Sequence, residues 1–120
     1  MTLTPKQALL QYHESERLKL DIMMIAHQMT TITNLKKDQK VGAKYMLVTL
    51  MDVLAGDTQR AAEQTGCTEF SKAAELLKEV MDLADTNQFG LACDKAGEAM
   101  IPVTNAAVEA FEVLSANGLV

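Results

Sequence analysis

Apolar residues recur at alternating spacings of four and three through the stretch from Arg17 to Leu35. That spacing places them on one side of an α-helix, as in helices that pack against partner helices. The stripe is formed by Leu18, Ile22, Ile25, Met29 and Ile32. Leu20, Met23 and Met24 lie too far around the helix to face the same neighbours. The stretch therefore carries more apolar surface than one helix interface requires.

The first helix has a clear predicted start. Thr4 is a capping residue, Pro5 suits the first helical position, and Gln7 is placed to complete a capping box. The apolar pattern continues to about Asn34, which predicts a helix of roughly 45 Å.

A second helix is predicted over about 39–65, with Asp38 as its cap and Gly66 as its end. Gly56, which is followed by Asp57, is a candidate break near its middle. The helix is apolar on most sides. Its main stripe is Ala43, Leu47, Leu50, Leu54 and Ala61, and Met46, Met51 and Val53 widen that stripe.

Two further helices follow. Thr68 is predicted to cap a third helix of about 18 residues, and a fourth runs from about Gln88 to Ala116. Pro102 lies inside the fourth helix and predicts a kink, because proline removes one helical hydrogen bond and clashes with the preceding turn.

Short connections between these elements force each helix to run antiparallel to the one before it. The composition agrees with an all-α fold, since aromatic residues make up only 4% of the chain and Pro occurs twice. We therefore expect an all-α, antiparallel up-down-up-down four-helix bundle in a single domain over 1–120. Helices 1, 2 and 4 are long and helix 3 is shorter, so apolar surface at one end must meet a ligand, a partner chain or a second copy.

Charge and composition limit the classes of partner. A net charge of −5 disfavours nucleic acid, whose binding depends on clustered Lys and Arg. No apolar segment reaches the roughly 20 residues of a membrane span, and no signal peptide is apparent, so a cytoplasmic address is expected. Cys67 and Cys93 are too few for a disulfide framework or a zinc site.

The two histidines do not predict a metal centre. His13 and His27 are about 21 Å apart along one helix, so they cannot share a metal ion within the chain. The residues three before them are Leu10 and Met24, not the glutamates of a diiron bundle. A Cu(I) site formed by Met23, Met24 and His27 is a minor alternative. Since no nucleophilic triad, phosphate loop or Cys-x-x-Cys motif is present, we predict no enzyme, no cofactor and no metal.

The segment from Ala26 to Thr31 resembles the active stretch of histidine-containing phosphotransfer domains. That resemblance implies a helical bundle in which an exposed His27 accepts a phosphoryl group from a receiver-domain aspartate. The family places Lys three residues after the histidine and Gly four residues after it. This chain has Thr30 and Thr31 at those positions.

The prediction favoured by the surplus apolar surface is a binding or scaffolding module that self-associates, most simply as a dimer, with another protein as an alternative partner. The phosphotransfer module and a bundle that binds a small apolar ligand are the alternatives. The predicted interface residues are Leu20, Met23, Met24, Met46 and Met51.

Overall fold

The computed structural model describes residues 3–120, and those residues form four α-helices and no β-strand. The predicted all-α four-helix bundle is confirmed. The helices are α1 (Pro5–Ile32), α2 (Lys37–Thr65), α3 (Thr68–Asp85) and α4 (Phe89–Ala116). Within the described part of the chain each helix packs against two others, in the cyclic order α1, α2, α3, α4.

Contacts between the first and last helices establish their relative direction. The Gln11 side-chain amide donates to the Ala106 carbonyl at 2.9 Å, and the Cys93 thiol lies 3.9 Å from the Ala26 carbonyl. The beginning of α1 therefore meets the end of α4, and the two helices are antiparallel. The short connections between successive helices complete the up-down-up-down topology.

The start of α1 matches its sequence signals. The Thr4 hydroxyl accepts from the Gln7 backbone N–H at 3.2 Å, and the Gln7 side chain accepts from the Thr4 N–H at 2.9 Å. Two N–H groups that no helical carbonyl can reach are thereby satisfied. The helix ends at Ile32, slightly before the predicted Asn34, whose N–H bonds the Thr31 carbonyl in a tighter final turn.

The predicted cap of α2 is wrong. Lys36 is the extended residue before the helix, and its N–H donates to the Gln39 side chain at 3.1 Å. Asp38 instead lies within the first turn, where its carboxylate interacts favourably with the helix dipole.

The predicted cap of α3 is also wrong by one residue. Gly66 adopts a left-handed φ of 70°, which ends α2 as expected and reverses the chain at once. Cys67 then becomes the extended capping residue, with its N–H bonded to the Thr65 hydroxyl at 3.1 Å. Thr68 is the first residue of the helix.

The two candidate interruptions do not break their helices. α2 is continuous through Gly56, and α4 is continuous through Pro102. Pro102 is buried, so the packing of its ring compensates for the hydrogen bond that the Glu98 carbonyl cannot form with it.

The core follows the predicted stripe on α1 but not on α2. All five residues of the α1 stripe are buried, and they pack with Phe70, Leu77 and Val80 of α3. Buried alanines line α4, and they permit the close approach of α1 and α3. On α2, however, Leu50 is half-exposed and Met51 is buried, so the helix is rotated from the predicted orientation. Its buried stripe is Leu47, Met51, Leu54, Thr58 and Ala61.

The end of α3 leaves one end of the bundle thinner, as predicted. α3 has 18 residues and α2 has 29. The Lys44 ammonium donates to the Asp85 carbonyl at the end of α3 at 2.8 Å, so the residues of α2 before Lys44 extend past that end. Among the neighbouring pairs, α1 and α2 pack against each other least extensively.

Candidate interaction surface on α1 and α2

A groove runs between α1 and α2, the least extensively packed neighbouring pair. Two hollows of about 170 and 280 Å³ form it, and they join because both are lined by Gln28 and Leu50. Met24 and Val53 line the first hollow, and Met46 lines the second. The lining is mostly apolar, which is typical of a surface that receives another apolar group.

Exposed apolar side chains extend from this groove over both helices. Met46 is 68% exposed and Tyr45 is 77% exposed, although residues of these types are usually covered. The exposed apolar residues beside the groove and on the outward sides of the two helices are Leu20, Met23, Met24, Val41, Tyr45, Met46, Leu50 and Val53.

Four of the five residues predicted for the interface belong to this surface: Leu20, Met23, Met24 and Met46. Met51 does not, because it is only 2% exposed and packs in the core. Leu50 and Val53 occupy the position on the surface that was assigned to Met51. Sequence reasoning placed both residues on the broad apolar stripe of helix 2, and their exposure was decided by the rotation of that helix.

A charged cluster closes one end of the groove. The Arg17 guanidinium on α1 bonds Glu14 of the same helix and Asp57 of α2. It also lies 3.7 Å from the carboxylate of Asp21 on α1. Arg60 also pairs with Asp57, at 3.2 Å. Arg17 is therefore an ionic link between two helices that pack loosely along the rest of their length. The spacing of Glu14, Arg17 and Asp21 suggests part of this cluster, but only the fold brings Asp57 to it.

The electrostatics of Asp57 follow from this cluster. Partial burial raises the pKa of Asp57, but hydrogen bonds and charges from Arg17 and Arg60 outweigh that effect and hold the pKa below its ordinary value. The carboxylate is consequently ionised at neutral pH and able to bridge the two arginines.

The remaining candidate residues are dispersed. His13 and His27 are both exposed, and within residues 3–120 no three His, Cys, Asp or Glu side chains are grouped to hold a metal ion. Met23 and Met24 are exposed near His27, whereas Met29 is buried on the opposite side of α1.

The cysteines are free thiols, and both are half-buried. Burial raises the pKa of the Cys67 thiol, so little reactive thiolate forms at neutral pH.

A third surface hollow lies beside Pro102. Its lining includes Glu69, Lys72, Lys95 and Glu98. Lys72 pairs with Glu69 at 3.0 Å and Lys95 pairs with Glu98 at 2.9 Å, so this hollow is rimmed by ion pairs. It is chemically unlike the apolar groove between α1 and α2.

The candidate site is therefore an apolar groove with an adjoining exposed helix face, and it holds no cluster of reactive groups among the described residues. In the same part of the chain, no helix combines the length and low polarity that a bilayer crossing requires. Comparison of the chain with protein-family models, curated proteins and solved structures gives no match.

Proposed function

We propose that the protein is a non-enzymatic binding module that forms a homodimer through the exposed apolar surface of α1 and α2. The observation that carries this proposal is the lining of the groove: exposed Met24 of α1 faces Leu50 and Val53 of α2 in one hollow, and exposed Met46 lines the hollow that joins it. Leu20 and Met23 are exposed on α1 within about one helical turn of Met24. Scattered single apolar residues are common on monomers, but a continuous apolar surface over two helices is typical of an interface.

The chemistry of this surface supports an adaptable contact. Methionine side chains are flexible and polarizable, and they fit partners of irregular shape. Burial of such a surface contributes roughly 25 cal/mol for each Å² of apolar area removed from water, before the cost of association is subtracted. The function that follows is scaffolding, and a cytoplasmic location stays a prediction.

The test is the molar mass in solution, measured by light scattering on a sizing column over a range of concentrations. We expect a dimer for the wild-type chain and a weaker dimer for Met24→Glu, because the substitution would bury a charge against an apolar partner surface. Ile101→Glu is the matched control, since Ile101 is similarly exposed but lies on α4. A monomeric wild type, or equal effects of the two substitutions, would contradict the proposal.

A phosphotransfer role for His27 is the second candidate, and the exposure of that imidazole on α1 favours it. A nucleophilic histidine must be open to its phosphoryl donor. The hydroxyl of Thr31, which replaces the family's glycine, bonds the His27 carbonyl at 3.1 Å and so does not point at the imidazole. Incubation with a small phosphoryl donor should label the wild-type chain and leave His27→Gln unlabelled. His13→Gln is the control, and equal labelling of both variants and the wild type would refute the role.

A further inference from the structure

One line of exposed residues follows the outward side of α2. It consists of Asp38, Gly42, Tyr45, Thr49, Val53, Gly56 and Arg60, and all seven are exposed. We call this line the outer face of α2. It is about 33 Å long, since 22 residues separate its ends at 1.5 Å each. Met46 and Leu50 border it on the side of the groove.

The outer face is symmetric about Thr49. Moving away from Thr49 in either direction, the line reaches an apolar residue after four positions, a glycine after seven and a charged residue after eleven. The pairs are Tyr45 with Val53, Gly42 with Gly56, and Asp38 with Arg60. The charged pair has opposite signs. In an antiparallel pair of α2 helices centred at Thr49, each of these residues meets the other member of its pair.

The charges distinguish this arrangement from a parallel one. A parallel pair in register would place Asp38 against Asp38 and Arg60 against Arg60, which is repulsive. The two halves of α2 also differ in charge. The first half carries Lys37, Asp38, Lys40 and Lys44, a balance of +2, and the second carries Asp52, Asp57, Arg60 and Glu63, a balance of −2. Antiparallel packing therefore places the positive half of one α2 beside the negative half of the other.

Both ends of the outer face are available for such a pairing. No cation among residues 3–120 lies within ion-pair distance of Asp38. Arg60 pairs with Asp57 through one of its nitrogens, and its side chain is 62% exposed. Its second nitrogen can accordingly bond a carboxylate of another molecule.

No neighbouring element of the monomer crowds the two glycines of the outer face. Both lie inside α2, where glycine is less stable than alanine by roughly 1 kcal/mol. A Cβ atom added at Gly42 would meet nothing within 4 Å, and one at Gly56 would meet only the end of the Arg60 side chain at 4.0 Å. Two such positions flanking the centre of the outer face would let a partner helix approach closely.

From the exposed apolar residues on and beside the outer face, the charge pairing and the symmetry together, we infer that the homodimer is built on an antiparallel contact between the two copies of α2, with its two-fold axis at Thr49. The occupant of the outer face is thus the same face of a second copy, which gives an isologous contact that closes at two subunits. This inference rests on the proposed homodimer and adds its orientation and register.

Disulfide trapping tests the register. In a variant that carries Cys67→Ser and Cys93→Ala, Thr49→Cys should form a disulfide with the same residue of the second subunit under mild oxidation. Helices packed through small residues bring facing Cα atoms into the range of about 4.4–6.8 Å that a disulfide requires. Thr104→Cys is the control, since Thr104 is also exposed but lies on α4. Gly42→Cys should cross-link to Gly56→Cys in a mixture of the two variants and not to itself.

Charge reversal and glycine replacement test the contact without a new covalent bond. Asp38→Arg and Arg60→Asp should each weaken the dimer on the order of tenfold, since the two-fold axis repeats each pair, and the double variant should recover wild-type affinity. Gly42→Leu should abolish the dimer, whereas Gly97→Leu on α4, where an added Cβ also meets nothing within 4 Å, should not. Analytical ultracentrifugation measures each dissociation constant, and circular dichroism checks that the variants fold.

The outcomes separate this inference from the proposed function. A dimer that is weakened by Met24→Glu but gives no cross-link at Thr49 and tolerates Gly42→Leu would overturn the antiparallel α2 contact alone. A wild-type chain that stays monomeric would overturn both. Cross-linking of Gly42→Cys to itself would replace the antiparallel contact with a parallel one.

Discussion

Met51 and Met46 are five residues apart on α2, and the structure predicts opposite consequences for their replacement. Met51 is 2% exposed and packs in the main core, whereas Met46 is 68% exposed at the edge of the α1–α2 groove. Met51→Ala removes three buried side-chain heavy atoms and leaves a cavity that the surrounding helices fill only partly. The expected loss is about 2–5 kcal/mol of unfolding free energy. That is a large part of the roughly 5–15 kcal/mol available to a domain of this size.

Met46→Ala is the matched variant, with the same chemical change at an exposed position. We expect it to change the unfolding free energy of the monomer by less than about 0.5 kcal/mol and to weaken the dimer. Urea denaturation followed by circular dichroism measures both effects. It must be repeated at several protein concentrations, because association adds stability that depends on concentration. If Met51→Ala cost under about 1 kcal/mol but weakened association, the rotation of α2 described here would be wrong.

Three further predictions concern single interactions. Asp57→Asn should lower stability by about 1 kcal/mol at neutral pH. The arginine partners of Asp57 outweigh its partial burial and hold its pKa below the ordinary value of 3.8. The difference in stability between the variant and the wild type should therefore persist above pH 3.8 and shrink as the pH falls below it. A difference that grew in acid would contradict the ion pair. Gly66→Ala should destabilise the protein by about 1–2 kcal/mol, because an L side chain is strained at φ 70°. Gly97→Ala lies in an ordinary helical turn and should be neutral or stabilising in thermal unfolding. Equal effects of the two substitutions would argue against the left-handed end of α2. Gln11→Ala should cost about 1–3 kcal/mol, since the buried amide bonds the Ala106 carbonyl and the Glu109 carboxylate, and a neutral result in urea denaturation would exclude that link between α1 and α4.

The fold could be predicted because helical periodicity is unambiguous in most of the chain. The α1 residues at spacings of four and three are all buried, and α3 buries the stripe from Phe70 through Leu77 and Val80 as its pattern indicates. On α3 charged residues occupy the opposite side, so only one orientation buries the apolar stripe. Gly66 likewise could end α2 because glycine readily adopts the left-handed conformation that stops a helix.

The orientation of α2 could not be predicted in the same way. Two stripes of the helix are nearly equal in apolar content, one passing through Leu50 and the other through Met51. The stripe that is buried includes Thr58, a residue that a hydrophobicity pattern counts against burial. The Thr58 hydroxyl donates to the Leu54 carbonyl at 2.7 Å, which satisfies it inside the core. This local hydrogen bond decides whether Thr58 is tolerated there, and hydropathy does not register it.

The same limitation applied to the candidate site. Sequence periodicity correctly indicated surplus apolar surface on the first two helices, but it could not separate Met46, which is exposed, from Met51, which is buried. The symmetry about Thr49 is visible in the sequence alone. It becomes informative only once the structure shows that all seven residues of the outer face are exposed.

Exposed apolar residues also occur on α4, and a comparison of the two helices favours α2 as the self-contact. The apolar residues of α4, which include Ile101 and Val108, are accompanied by four carboxylates and one lysine: Asp94, Glu98, Glu109, Glu112 and Lys95. Two copies of α4 would therefore bring net charges of −3 together. α2 carries four basic and four acidic side chains, and antiparallel packing opposes its positive half to its negative half. Since both helices expose apolar area of similar kind, the electrostatic difference selects between them. If α2 forms the contact, the affinity of the dimer should fall with added salt, because screening weakens the attraction between α2 helices. An association through α4 would instead be strengthened by salt, because screening reduces the repulsion between α4 helices.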